Sequence, residues 1–515
     1  MGKNGKKEKK NEISAECIKT KKIRRMGKTI VGSSIIIKLR KKYSSLNLQT
    51  KAAIWFAFCG MMQKGMQFIT TPIFTRILTT AQYGKVSVYL SWYNIISIFT
   101  TLNLYMGGFN NGMIQNEDRR DEYLSSMQGL VTITTFILYV IYLLTSQLWN
   151  QLFDMSTIMV SVMFIEILIH SSILFWSAKI RFEYKYRSLL LFTIPIVMIP
   201  PIASIIAIKI FGGSNASNVK IYSNAICIIV LCLPIYIYNL RKGKSFYHKE
   251  FWKFGIQFNT PLIPHYLSGI VLNQADRIMI QKMVGDSEAG IYSLAYSASM
   301  VLNVATTAIN QSLSPWIYNK LKQEEYDDIR KTSIPIFVGV AIVILMLVLF
   351  APECIVLFGG KSYKDAIWII PSVASSLYFL FVYQVYVNIE FYFMKNTYIT
   401  YASVSGAILN IILNYFGIKL FGYIAAGYTT LLCYIVFFVC HCIFVNKIEK
   451  KYINNIHIFD NRKTSIIGIV LISCSQIVLL LYNYPLIRFV LLLGLITWSI
   501  IKRRRIKNLL NGIRE

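Results

Sequence analysis

The sequence predicts an all-α polytopic membrane protein of about fourteen transmembrane helices, built as two pseudo-symmetric six-helix bundles plus an appended helix pair. Three observations carry that prediction. The 515-residue chain is 55% hydrophobic with a mean hydropathy of +0.49, more apolar surface than a soluble fold can hide. Apolar runs long enough to span a bilayer recur along its length. One stretch also occurs twice, at residues 72–89 (PIFTRILTTAQYGKVSVY) and 275–296 (ADRIMIQKMVGDSEAGIYSLAY). In each copy an apolar helix ends at Arg-Ile, a short polar loop leads to Gly84 or Gly290, and a small-and-aromatic run opens the next helix. The arginine-to-glycine separation is 8 residues in the first copy and 13 in the second. A duplicated helical half is how secondary transporters enclose a central pathway.

Taken in order, residues 1–51 form a basic tail with 16 of the 54 Lys and Arg and three acids, Glu8, Glu12 and Glu16. Its first apolar run, residues 35–37, is too short for a signal-peptide core. The tail is therefore expected in the cytoplasm, either solvated or lying on anionic lipid through the weakly amphipathic IIIKLRKKYSSL. The first bundle, residues 52–241, holds spans 52–75, 86–112, 123–145, 157–178, 188–211 and 220–240. The basic loop RKGKSFYHKEFWK joins it to the second bundle, residues 250–447. There the spans are 252–274, 289–315, 330–350, 365–393, 398–418 and 421–445. Residues 464–501 are the appended pair, spans 464–482 and 485–501, and residues 502–515 form a basic C-terminus. With the N-terminus inside, the two basic ends and alternate loops hold 43 of the 54 basic residues. The positive-inside rule then puts both termini in the cytoplasm. No loop is long enough to carry a soluble domain.

The net charge of +30 reads as membrane topology, so nucleic acid is not an expected partner. Of the nine cysteines, Cys59, Cys227, Cys232, Cys433, Cys440 and Cys474 fall inside apolar runs, where cysteine behaves as a small hydrophobe. Cys440-His441-Cys442 fits no zinc spacing, and no metal is expected. No Walker A loop, Gly-x-Ser-x-Gly elbow, His-Glu-x-x-His or loop Asp-x-Asp is present. No catalytic residue is assigned, and the expectation is a protein that is not an enzyme.

Three pieces carry a family resemblance: PIFTRILTTAQYG ending span 1, NTPLIPHYLSGIVLNQADRIMIQKMVG in span 7, and its continuation AGIYSLAYSASM. They resemble the polysaccharide transporter branch, with its Wzx-type O-antigen and capsule repeat-unit flippases, of the multidrug/oligosaccharidyl-lipid/polysaccharide (MOP) superfamily. The likeness runs from residue 50 to 502. It implies a V-shaped pair of bundles alternating between inward-open and outward-open states in the bacterial inner, or cytoplasmic, membrane. The implied cargo is an undecaprenyl-pyrophosphate-linked oligosaccharide, moved from the cytoplasmic to the outer leaflet for capsule, O-antigen or exopolysaccharide synthesis. Membrane lipids, and a polymerase and glycosyltransferases of the same pathway, are the implied partners. A lipid II flippase or a cation-coupled drug exporter of the same fold stands as the first alternative. A membrane polymerase or acyltransferase is a second, disfavoured by the absence of a long outer loop and by the repeat.

Charge inside an apolar helix is expensive, which marks its bearers for function. Lys64, halfway along span 1, either lines a cavity or snorkels to an interface. Arg76 lies twelve residues on, on roughly the same face. Lys64, Arg76 and Arg277 are the candidates for gripping a pyrophosphate headgroup, the chemistry for which ammonium and guanidinium groups are suited. Asp276 and Asn273 are candidates for a gate or coupling role, or for capping the end of span 7. Pro261 and Pro264 suggest a kink in that span, and His265 reads as a buried neutral residue. Glu166 and His170, spaced i and i+4, form either a coupling pair or a structural one, and Glu390 is an isolated acid. Tyr89, Trp92 and Tyr93 are the sugar-contact candidates, set against ordinary packing. No cofactor is expected beyond a coupling H+ or Na+.

Overall fold

The computed structural model describes residues 43–502. The expectations placed on residues 1–42 and 503–515 lie outside the described residues. The first half runs α1 (Leu48–Ile77), α2 (Thr80–Thr101), α3 (Gly108–Gln115), α4 (Arg120–Leu144), α5 (Ser146–Phe153), α6 (Thr157–Phe182), α7 (Tyr186–Phe211) and α8 (Ala216–Gly243). The second runs α9 (Lys249–Asn259), α10 (Ile263–Met283), α11 (Asp286–Ser299), α12 (Val301–Lys322), α13 (Tyr326–Leu349), α14 (Ala351–Phe358), α15 (Ile370–Tyr392), α16 (Asn396–Phe421) and α17 (Ala425–Tyr452). The appended pair is α18 (Asn461–Leu480) and α19 (Pro485–Ile501). Among the described residues there is no strand, and the protein is an all-α, multi-pass membrane protein.

Nine helices of the described chain are long and apolar enough to cross a membrane, and α19 is a shorter apolar helix. The remaining long segments are α1, α2, α9 with α10, and α11 with α12. They complete the expected fourteen, and they are the polar ones.

Local chemistry moves some boundaries. The second span begins at Thr80 and not at 86, because Thr79 and Gln82 close a capping box. Thr79 Oγ1 accepts from the Gln82 N–H at 3.2 Å, and Gln82 Oε1 accepts from the Thr79 N–H at 3.0 Å. The helix stops at Thr101, where Leu102 and Asn103 turn left-handed. Gly84 therefore lies inside a helix rather than in the loop before it; Gly290 lies inside α11. Span 7 is broken by a single 3-10 turn at Thr260–Leu262. Pro261 has no N–H to give there, and Pro264 takes the second position of α10.

In the first half α4, α6 and α7 pack on α8, and α1 packs on α7. In the second, α15 packs on α17 and α12, and α10 on α16. The appended α18 lies against α13 and α15, and α19 against α13. Short as it is, α9 docks on α4 of the first half, where the Trp252 indole N–H donates to the Ser126 carbonyl at 2.9 Å. Some polar groups inside the halves are satisfied by neighbours, as a membrane interior favours. Gln128 donates to the Tyr236 carbonyl and accepts from Asn239, both at 2.9 Å.

The halves meet where α2 crosses α11 and α10. A Cβ on Gly84 would sit 1.8 Å from the Asp286 carbonyl oxygen, and one on Gly290 would sit 2.1 Å from that of Thr80. The glycines of the two repeat copies thus face each other, and their missing side chains let the backbones touch.

Candidate functional site: the cleft between the halves

Below this crossing lies a cavity of about 370 Å³ lined by Gln67 and Phe68 of α1, Asn94 of α2, Gly269, Ile270, Asn273, Gln274 and Arg277 of α10, Tyr296 and Ser297 of α11, and Met300. All of its lining comes from the polar segments set apart above, or from the joint between α11 and α12. Polarity that lipid would reject is tolerated where it faces a cavity. A Cβ on Gly269, within the lining, would meet nothing within 4 Å, and neither would one on Gly60 or Gly65 of α1.

Arg277 is the cation of this lining, which contains no carboxylate. Its guanidinium lies 4.7 Å from the Tyr296 ring centroid. Through Nη1 it donates to the Gln274 side-chain oxygen at 2.6 Å and to the Asn273 carbonyl at 2.8 Å. Gln274 also accepts from Ser91 Oγ of α2 at 3.0 Å, a link across the halves. Asn273 Oδ1 accepts from the Tyr296 hydroxyl at 2.6 Å. Lys64 is exposed one turn below Gln67 and Phe68, and helical spacing puts it on their face.

Asp276 points the other way. Its carboxylate is buried among elements of the second half and accepts from Tyr292 at 2.5 Å, Asn414 at 2.5 Å and Thr430 at 2.9 Å. Asn414 in turn bonds to Asn410 and Thr429. A gate contact across the halves is therefore the wrong geometry for Asp276, because no partner of it belongs to the first half.

Arg76 does not line the cleft either. It reaches over the closed end, where Nη2 donates to the Leu357 carbonyl at 3.0 Å, while Thr75 Oγ1 donates to that of Phe358. Those carbonyls end α14, the negative pole of a helix. Thr80 and Ser287 hydroxyls meet at 2.7 Å, Lys85 and Asp286 at 3.6 Å, and the Tyr83 ring stands edge-on to Tyr363.

Glu166 and His170 do not pair with each other. Each takes a tyrosine of α2: the Tyr89 hydroxyl donates to Glu166 at 3.1 Å, and Tyr93 lies 3.1 Å from His170 Nδ1. Tyr89 is only 3% exposed, and Trp92 packs on Phe153 with ring centroids 4.6 Å apart. Two of the three sugar candidates are thus tied up by this ladder and the third by packing, because α2 turns that face into its own half. Glu390 is likewise internal, with His441 Nδ1 at 2.7 Å, and His265 lies 3.1 Å from Ser403.

Sequence reasoning missed Gln67, Asn94, Tyr296 and Ser297. The signal was present as side-chain amides and hydroxyls recurring on α1, α2, α10 and α11, without charge to draw attention. Among the described residues, no cluster of three or more His, Cys, Asp or Glu is arranged to hold a metal.

Comparison with known proteins follows from this geometry. A family model described as "Polysaccharide biosynthesis protein" matches residues 50–321, a little over half of the chain. Two Haemophilus influenzae proteins are 28% identical: "Lsg locus putative protein 1" over 159 residues, and an uncharacterized membrane protein over 183 residues. Those matches cover 30% and 34% of this chain but only 38% and 45% of the relatives' own lengths. In three dimensions the chain is similar to the lipid II flippase MurJ in an inward closed conformation, with a TM-score of 0.65 at 14% identity. The match covers 88% of this chain and 100% of that one. It is also similar to an inward-facing multidrug resistance MATE family transporter of the MOP superfamily, with a TM-score of 0.58 at 13% identity over 78% of this chain and 99% of that one. At such identities the structures share the fold.

Proposed function

Since the chain belongs to the polysaccharide biosynthesis protein family, we propose that it is a flippase carrying an undecaprenyl-pyrophosphate-linked oligosaccharide from the cytoplasmic to the outer leaflet of a bacterial cytoplasmic membrane. The observation that carries this reading is the cleft lining: one guanidinium, Arg277, among neutral amides and hydroxyls, with no carboxylate. A guanidinium held over an aromatic ring in a site without acids suits a diphosphate, and the amides and hydroxyls suit sugar hydroxyls. Lys64, on the same cleft face, is the second charge of the headgroup site, and Arg76 is a gate residue.

In this reading the end where α2 crosses α11 faces outward and the opposite end faces the cytoplasm, as the distribution of basic loops favours. Transport alternates by parting the crossing and closing the opposite end. Asp276 is the coupling group: a carboxylate surrounded by an amide and hydroxyls takes up H+ or Na+ within the second half, and its occupancy biases the α10–α16–α17 packing. The polymerase and glycosyltransferases of a capsule, O-antigen or exopolysaccharide pathway would consume and supply the cargo.

The test is leaflet access of a labelled undecaprenyl-pyrophosphate oligosaccharide in proteoliposomes, comparing the native protein with Lys64→Ala and Arg277→Ala. Translocation that is lost in the variants supports the headgroup site. Translocation that survives both removes the site assignment and leaves the flippase. Ion-dependent efflux of small cations, with no movement of lipid-linked glycan or of lipid II, makes the chain a drug exporter of this fold. Movement of lipid II in preference to oligosaccharide makes it a lipid II flippase.

A further inference from the structure

The appended pair stands outside the repeat and contributes nothing to the cleft lining. Of the side chains of α19, Arg488 is the buried one, only 3% exposed, while its neighbours Leu486, Phe489 and Val490 are exposed. An arginine in that place needs a reason, since burying an unpaired guanidinium is costly. Its fork grips Glu353 with two parallel bonds of 2.8 Å, and Nη1 also donates to the Leu349 carbonyl at 2.7 Å. This is the bidentate geometry that makes such pairs strong.

Glu353 lies in the first turn of α14, and the far end of α14 presents the Leu357 and Phe358 carbonyls to Arg76 and Thr75 of α1. The short helix is thus held at its N-terminal end by the appended pair and at its C-terminal end by the first half. A second grip comes from the turn joining α18 to α19: the Tyr482 hydroxyl donates to the Val348 carbonyl at 3.2 Å, and its ring packs on Trp368 at 5.9 Å. Behind α14, a Cβ on Gly359 would lie 2.3 Å from Leu294 of α11, and Tyr363 of the same segment is wholly buried against Tyr83. Burial alone would raise the Glu353 carboxyl, but the Arg488 guanidinium outweighs it and holds the carboxyl below the usual glutamate range.

We propose that Arg488 and Glu353 are positioning residues for the gate: the appended pair uses them to brace α14 across the closed end of the cleft, so that breaking the pair loosens the contact between the halves. The reading rests on the transport proposal for its purpose, but the gate itself is measurable without cargo.

The experiment uses the full chain in membrane vesicles carrying Thr80→Cys with Ser287→Cys, whose side-chain oxygens meet at 2.7 Å in the native protein. Oxidative cross-linking is followed by mass spectrometry of the linked peptides in three backgrounds: native 353/488, Glu353→Gln and Arg488→Lys. Glu353→Gln keeps volume and shape, Arg488→Lys keeps charge without the fork, and thermal unfolding in detergent establishes that each is folded. We expect cross-linking to slow severalfold in both variants, and labelling of a lone Thr80→Cys by a membrane-impermeant maleimide to rise by a similar factor. Unchanged cross-linking and labelling in folded Glu353→Gln and Arg488→Lys would overturn the brace. If the gate loosens as expected while the native protein moves no lipid-linked glycan, the brace stands and the cargo reading falls. If glycan moves but the gate does not respond, the converse holds.

Discussion

Arg277 and Asp276 are adjacent in sequence and serve different sides of one helix. Their roughly 100° separation around α10 was legible in the sequence; which of them faces the cleft was not, because that depends on where α16 and α17 pack. Arg277→Ala is expected to reduce glycan translocation about 10- to 100-fold, the worth of a charge-assisted phosphate contact at ~1.5–3 kcal/mol. Arg277→Lys should retain part of it, since an ammonium keeps the charge and loses the fork. Asp276→Ala orphans the Tyr292, Asn414 and Thr430 donors, at about 1–3 kcal/mol for each donor left unpaired, and should lower the unfolding temperature in detergent. Asp276→Asn fills the same space, so it should unfold nearer to the native temperature while abolishing any Na+ or pH dependence of transport. A coupling response that survives in Asp276→Asn would remove the residue from that role. The aromatic candidates show where residue-level reading fails. Tyr89, Trp92 and Tyr93 had the chemistry for sugar, but Glu166, His170 and Phe153 claim them first. No pattern along one chain reveals such cross-helix partners.

At the scale of elements, hydropathy and the repeat located the long helical segments but misplaced several ends: α2 runs Thr80–Thr101 where 86–112 was expected, and α10 continues to Met283 past an expected 274. The miss at the start of α2 came from capping chemistry at Thr79 and Gln82 that apolarity does not register. The repeat glycines were visible as a motif, but their meeting is a property of two helices crossing. Gly84→Ala places a methyl group 1.8 Å from a backbone oxygen, and Gly290→Ala one 2.1 Å from another. Neither obstacle is a movable side chain, so the helices must part. Each substitution is expected to slow Thr80→Cys/Ser287→Cys cross-linking more than a Gly65→Ala control, where the added methyl meets nothing within 4 Å. Equal rates in all three would show that the crossing tolerates separation at no cost.

For the whole molecule, contacts between the halves lie where α9 docks on α3 and α4 and, at the end of the cleft formed by the crossing, around Thr80, Gly84 and Arg76. If transport requires that end to open, the disulfide formed on oxidising the Thr80→Cys/Ser287→Cys variant should stop translocation, and a reductant should restore it. Translocation that persists in the oxidised protein would rule out opening at this crossing. The segregation of polarity has a further consequence, for biogenesis. The segments the cleft requires, α1, α2, α10 and α11, are those a bilayer accepts least readily as single helices, and two of them leave the ribosome ahead of the other described spans. Each on its own should partition poorly at the translocon, where polar residues near a helix centre oppose insertion. They must then wait for α4, α6, α7 and α8 to shelter them, so integration of the first half is cooperative and not sequential. Glycosylation mapping of truncated chains should find α1 and α2 incompletely integrated until α8 has emerged.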